Sequence, residues 1–252
     1  MIHTEALTKT YHGTSVVEDV TVDILPGKMT TFIGPNGAGK STLLSMVSRL
    51  LSHDGGTVSL DGTPLSHLHD KELAKRLAVL KQSNDMRVRL TVRDLVGFGR
   101  FPYSRGRLKP EDERVIDESL RYVELEEMQH RYIDQLSGGQ RQRAFIAMIL
   151  AQDTEYILLD EPLNNLDMRH SVQIMKVLRG LVDDLGKTVV LVVHDINFAS
   201  CYSDYLVALK NGKVLREGRT WDVIHPDYLK EIYDMPFQVQ EMNNQKICVY
   251  FS

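Results

Sequence analysis

Cysteine is nearly absent from this chain of 252 residues, and tryptophan occurs once. Cys201 and Cys248 lie far apart and match no metal or redox spacing, so a disulfide scaffold, a zinc module and a CxxC site are excluded and a reducing compartment fits. An excess of charge is missing too. Thirty Lys and Arg against thirty-four Asp and Glu leave a net charge of -4 and a pI near 6.1, which gives no global field for nucleic acid. Long apolar runs are lacking. The stretches at 156–159 and 189–193 have strand length, far short of the roughly 20 residues of a membrane helix. The opening MIHTEALTKTYHG has no apolar core of a secretory signal. With no lipidation motif either, work at a membrane requires docking onto another chain. Repeats and low-complexity segments are also absent. What remains, 42% hydrophobic and 25% charged residues at a mean hydropathy of -0.22, is the composition of a globular domain with at most one insertion.

The chain opens on short strands, IHTEALTKTY and SVVEDVTVDI, a turn at Leu25-Pro26-Gly27 and the strand KMTTFIG. A glycine-rich loop then runs into STLLSMVSRLL, whose apolar residues fall at helical spacing. Asp54-Gly55-Gly56 and Asp61-Gly62 bracket a hairpin, and HDKELAKRLAVLKQ reads as a helix leading into a strand at 77–80. From about 84 to 151 the pattern is helical: TVRDLVGFGRF, EDERVIDESLRYVEL and a long amphipathic GGQRQRAFIAMILAQ. Strands return at YILLD and TVVLVVHD around a helix at about 171–185, and Asn211-Gly212 marks a hairpin turn. A short helix, a Pro236 break and terminal strands close the chain. The expected fold is α/β: a single domain over 1–252 with a mostly parallel sheet, an N-terminal antiparallel β region, a core at 1–83 and 152–252, and an inserted helical subdomain at about 84–151.

Three segments carry chemistry. Gly34-Pro35-Asn36-Gly37-Ala38-Gly39-Lys40-Ser41-Thr42 satisfies G-x-x-x-x-G-K-[ST] between a strand and a helix. Its glycines let successive N–H groups face phosphate oxygens at a helix N-terminus. Lys40 adds charge at the β- and γ-phosphates of ATP, Ser41 offers a hydroxyl to Mg²⁺, and Thr42 is placed for the α-phosphate. The second segment, Tyr156 to Glu161, is an apolar strand ending in two carboxylates. Asp160 suits Mg²⁺ held through water, and Glu161 suits a general base that polarises the attacking water. The third is Leu136-Ser137-Gly138-Gly139-Gln140 at the start of a helix.

With these three in this order, the chain resembles the ATP-binding cassette ATPases, the nucleotide-binding subunits of ATP-binding cassette transporters, over about 2–217. The resemblance implies that Ser137, Gly138, Gly139 and Gln140 form a second anion site that closes on ATP held by another copy, hence a head-to-tail homodimer. It further implies that Tyr11 stacks on adenine, that Gln82 contacts Mg²⁺ or water and senses a transmembrane partner, that His194 reaches the γ-phosphate, and that Asp167 belongs to a loop crossing the dimer. Asn164-Asn165 departs from the Ser or Thr pair the family often has there, which leaves that loop's contacts open while Glu161 is intact.

Other features read as ordinary. His67 and His69 have no further ligands spaced to complete a metal site. The basic stretch at 87–107, interleaved with Phe98, Phe101 and Tyr103, reads as a docking surface for the membrane partner rather than for nucleic acid. Met46, Met148 and Met175 fall in core patterns. LTVRDLVGFGRFPYSRGRL, HDINFASCYSDYLVALKNGKV and DEPLNNLDMRH resemble ATPases of importers for iron-siderophore, haem and vitamin B12 complexes, the last segment most of all the iron-siderophore members. The expected function is therefore a MgATP-hydrolysing subunit at the cytoplasmic face of a bacterial membrane. It would power transmembrane permease subunits fed by an external substrate-binding protein. Two alternatives stay open: a relative acting on ribosomes or DNA, and a regulatory protein that binds ATP without turnover.

Overall fold

The structure, a computed structural model, describes residues 1–81 and 88–251. Two sheets share the core. The first is antiparallel, in the order β2-β1-β4-β5, from β1 (Ile2–Tyr11), β2 (Thr14–Ile24), β4 (Gly55–Leu60) and β5 (Thr63–Pro64). Its first two strands coincide with the segments IHTEALTKTY and SVVEDVTVDI, β2 starting one residue earlier at Thr14. Register shifts between Thr4 and Thr10 interrupt the β1–β2 ladder, and Ala6 of β1 and Asp19 of β2 both stand at positive φ there.

The second sheet has the order β10-β9-β3-β8-β7-β6, from β3 (Met29–Ile33), β6 (Leu77–Leu80), β7 (Tyr156–Asp160), β8 (Thr188–Val192), β9 (Tyr205–Lys210) and β10 (Lys213–Arg219). It is parallel apart from the β9–β10 hairpin, whose turn at Asn211 and Gly212 has φ of 51° and 80°. Every residue of β3, β7 and β8 is buried. Such apolar runs suit a strand covered on both faces. Leu158, Val190 and Val192 pack with Leu43, Leu44 and Val47 of α1 (Lys40–Val47). Ile157, Leu159 and Leu191 face the opposite layer, built by α6 (Gly138–Ala151), α7 (Met168–Asp183) and α8 (Ile196–Tyr202).

Helix α2 (Asp70–Arg76) precedes β6, and between β6 and β7 the described residues form α3 (Val92–Phe98), α4 (Phe101–Ser104), α5 (Pro110–Tyr122) and α6. The stretch read as one helix, TVRDLVGFGRF, is broken at Gly99. A Cβ there would stand 2.1 Å from the Met148 carbonyl of α6, and it is this approach that requires glycine. Helix α6 is also less one-sided than its sequence suggests. Ala144 to Ala147 are four consecutive buried residues, which makes it a core helix. After β10 come α9 (Thr220–Val223), α10 (Pro226–Tyr233) and the hairpin β11 (Gln238–Met242) and β12 (Gln245–Val249), laid against α8.

Candidate functional site

Strand β3 delivers the chain into the glycine-rich loop, and α1 receives it. Gly34, Gly37 and Gly39 have φ of 137°, 78° and 97°, a region closed to most side chains. Space forbids a side chain as well: a Cβ at Gly34 would lie 2.0 Å from the Leu209 carbonyl oxygen, and one at Gly39 2.5 Å from that of Val16. Lys40, Ser41 and Thr42, whose first-turn amides have no carbonyl partner within a helix, line a cavity of about 480 Å³. Asn36 to Thr42 line it on one side, and Glu161, Asn164 and His194 on the other.

Lys40 is buried at the base of the loop, where its Nζ donates to the carbonyls of Gly34 at 2.8 Å and Pro35 at 2.9 Å. Burial holds its ammonium below the ordinary value, and the charges of Glu161 and Asp160 offset this only in part. Ser41 Oγ donates to Asp160 Oδ1 at 2.7 Å. Burial raises the Asp160 carboxyl, the Ser41 hydrogen bond opposes this, and neighbouring Glu161 adds to it.

Glu161 follows β7 with φ of 51°, a left-handed conformation that costs a non-glycine residue on the order of 1 kcal/mol or more. Its N–H donates to the Val192 carbonyl at 3.1 Å. The carboxylate is gripped at both oxygens: His194 Nε2 stands 2.7 Å from Oε1, and Asn164 Nδ2 donates to Oε2 at 3.3 Å. A non-glycine residue in the left-handed region and a carboxylate held in the same cavity as Lys40 make this the candidate centre. A second cavity of about 460 Å³, between Lys28, Ser200, Trp221 and Lys246, differs in kind. There Ser200 Oγ donates to the Lys246 carbonyl, Lys246 Nζ donates to Trp221 O and Ile224 O, and Thr220 Oγ1 donates to Ser203 O, so these polar groups serve the fold.

The expected site residues divide accordingly. The loop from Gly34 to Thr42, Asp160, Glu161 and His194 come together around one cavity or its base. Tyr11 lies apart from that lining at the end of β1, 43% exposed, with Lys9 Nζ 5.5 Å from its ring centre. Ser137, Gly138, Gly139 and Gln140 are absent from the lining too. They start α6, where Ser137 and Gln140 form a reciprocal capping box. Asp167 uses its carboxylate to cap α7, accepting from the His170 N–H at 2.8 Å. Gln82 lies outside the described residues. Asn164 and Val16 were missed as lining residues. The Asn164-Asn165 departure was the one signal pointing to the first, and nothing local marks the second.

A nucleotide-sized cavity at a glycine loop on a mostly parallel sheet, with hydroxyl, carboxylates and lysine around it, defines a phosphate-loop nucleotide-binding protein. The chain belongs to the ABC transporter family, whose model matches residues 17–164, and is an ATP-binding cassette. It is 58% identical over the whole of both chains to the petrobactin import ATP-binding protein YclP of Bacillus subtilis. To the ferric enterobactin transport ATP-binding protein FepC of Escherichia coli it is 39% identical, over 92% of this chain and 86% of that one. Among solved structures, the dimeric bacterial ABC transporter cassette MJ0796 matches with a TM-score of 0.77 at 35% identity, covering 87% of this chain and 99% of that one. A metal-chelate type ABC transporter solved in an inward-facing conformation matches with a TM-score of 0.86 over 100% of this chain and 97% of that one. At 24% identity it speaks for the fold alone.

Proposed function

We propose that this chain is the ATP-hydrolysing subunit of a bacterial importer of iron-siderophore complexes. The observation that carries the catalytic part is the Glu161 carboxylate, held by His194 and Asn164 across one cavity from Lys40 and Ser41. In this reading the loop amides and Lys40 bind the phosphates of ATP, Glu161 takes the proton of the attacking water, and His194 orients that carboxylate and reaches the γ-phosphate. Ser41 and Asp160 meet at 2.7 Å as a pair of hard oxygen donors, which fits Mg²⁺. They would hold the ion with Gln82, and when bound it offsets negative charge on the phosphates. Tyr11 would receive the adenine face.

Two copies would pair head to tail, so that Ser137, Gly138, Gly139 and Gln140 of one close on the nucleotide of the other and Asp167 lies near the crossing. The separation of α6's N-terminus from the cavity supports this, since one chain by itself does not bring the two anion sites together. The helices at about 84–151 would act as a subdomain that docks on the permease. Exposed Phe98, Phe101 and Val88 on that part support a docking face. No described helix is long and apolar enough to cross a membrane, which agrees with a subunit bound at the cytoplasmic face. The cargo reading leans on the import proteins named above, and an external substrate-binding protein would deliver it.

Glu161→Gln tests the catalytic part: ATP turnover should fall by about 100-fold or more while nucleotide still binds. Equal turnover would remove Glu161 as the base. The same variant, retained with MgATP in detergent-solubilised membranes, should carry a multi-span permease of the siderophore class. Ribosomal proteins, or no membrane partner, would overturn the importer reading.

A further inference from the structure

Gly34 is the hinge of the phosphate loop, and it cannot brace itself. It has no side chain, its φ of 137° is open essentially to glycine, and the Leu209 carbonyl leaves no room for a Cβ. The peptide units on its two sides therefore need outside anchors. On one side, the Gly34 carbonyl accepts from Lys40 Nζ at 2.8 Å. On the other, the Gly34 N–H donates to the hydroxyl of Tyr233 at 3.2 Å.

Tyr233 ends α10, far along the chain and outside the 17–164 stretch that the family model matches. Its position is well defined. Leu229 and Ile232 of the same helix are fully buried. The Tyr233 ring packs 5.6 Å from Phe237, which in turn packs 5.5 Å from Tyr250 after the terminal hairpin. Lys210, at the end of β9, ties the helix C-terminus down by donating to the Glu231 carbonyl at 2.6 Å and Asp234 at 2.7 Å.

We propose that Tyr233 is a positioning residue for the phosphate loop: its hydroxyl holds the Gly34 amide so that the loop carbonyls seat Lys40 for nucleotide phosphates. The proposal rests on the nucleotide-binding reading above and adds a C-terminal anchor to it. Burial keeps this phenol neutral by pushing its ionisation well above the ordinary value, so the acceptor is present at every working pH.

The test compares full-length wild type, Tyr233→Phe and Tyr233→Leu by titration with a fluorescent ATP analogue and Mg²⁺, by steady-state ATPase kinetics, by hydrogen exchange of the 32–38 peptide, and by thermal melting. Tyr233→Phe keeps the ring and removes only the acceptor. It should weaken nucleotide binding and raise KM about three- to tenfold, the range of one lost hydrogen bond, with kcat within about twofold and the melting temperature nearly unchanged. Exchange at the loop peptide should quicken. Tyr233→Leu should show the same loss of affinity together with lower stability. Wild-type affinity and exchange in Tyr233→Phe, or a fall in kcat at constant KM, overturns the proposal. So does a loss of affinity confined to Tyr233→Leu, since the ring would then hold the loop. A wild-type protein that binds no nucleotide would instead remove the reading beneath the proposal.

Discussion

Gly139 is the second residue of α6, and the reason it is glycine is a steric one inside the same chain. A Cβ there would stand 2.2 Å from Cδ2, 2.6 Å from Cγ and 3.0 Å from Cβ of His170. The ring has little freedom to withdraw, because its Nδ1 lies 2.8 Å from the Asp167 carboxylate that also caps α7. Gly139→Ala should therefore destabilise the protein by about 1–2 kcal/mol: overpacking costs roughly 1–3 kcal/mol, and the helix preference of alanine returns a part of it. His170→Ala alone should be nearly neutral, since an exposed contact of this kind contributes at most about 0.5–1 kcal/mol and alanine suits a helix. In the double variant the two shortest contacts vanish and only the 3.0 Å approach to a Cβ is left. Stability should then return most of the way, with a coupling of about 1 kcal/mol between the two sites. ATP turnover should recover alongside it, because the added methyl group points into α7. The assay is urea unfolding of the four proteins of the cycle, with ATPase rates on the same samples. Effects that add within about 0.5 kcal/mol would refute the steric account. Restored stability without restored turnover would move the need for glycine from packing to the approach of a nucleotide.

Asp112→Asn bears on the buried ion pair in which Arg100 Nε donates to Asp112 Oδ1 at 2.9 Å while Arg100 Nη1 donates to the Ala151 carbonyl. Burial pushes the Asp112 carboxyl up, but hydrogen bonds from the Lys109 N–H and Arg100, with the Arg100 charge, outweigh it and hold the group below its ordinary 3.8. A depressed carboxyl stabilises the fold above its unfolded value and stops doing so as pH falls through the folded one. The variant should thus lose about 3 kcal/mol near neutrality, with the gap to wild type closing below about pH 4. Urea midpoints across that range measure it, and a constant gap would refute the pairing. A second pair of variants separates space from propensity within one turn. Gly97 has only ordinary contacts at 3.6 Å and beyond, so Gly97→Ala should stabilise by up to about 1 kcal/mol. Gly99→Ala meets the Met148 carbonyl at 2.1 Å and should destabilise by about 1–3 kcal/mol. Thermal melts decide both signs.

Much of the cavity was legible because its determinants are local. Strand, glycine loop and helix are contiguous from Met29 to Val47, and the acids at 160 and 161 end a strand whose run of apolar residues announces burial on both faces. The alternation of strands and helices likewise carried the parallel sheet. What escaped depends on partners distant in sequence. The break at Gly99 is set by a carbonyl of α6, and the grip of Asn164 on Glu161 needs the left-handed backbone at 161 to turn the chain back on itself. Helix α6 was misjudged for the opposite reason. Packing against several elements at once buries more than one side of it, and a period of 3.6 is informative only where one face meets water.

The same distinction explains how the residues around Glu161 are tied to the start of α6. Glu161 to His170 is a short connection, yet it is fixed at each end by contacts that no local rule encodes. Asn164 holds the carboxylate of Glu161, and His170, kept in place by Asp167, closes over Gly139 near the start of α6. In between, Leu166 and the Asn165 carbonyl lie against Gly138, the first residue of α6. This connection also carries two left-handed residues, Glu161 and Asn165, with φ of 51° and 60°. The start of α6 and the carboxylate at 161 are thus linked through one short connection, although none of Ser137 to Gln140 lines the cavity.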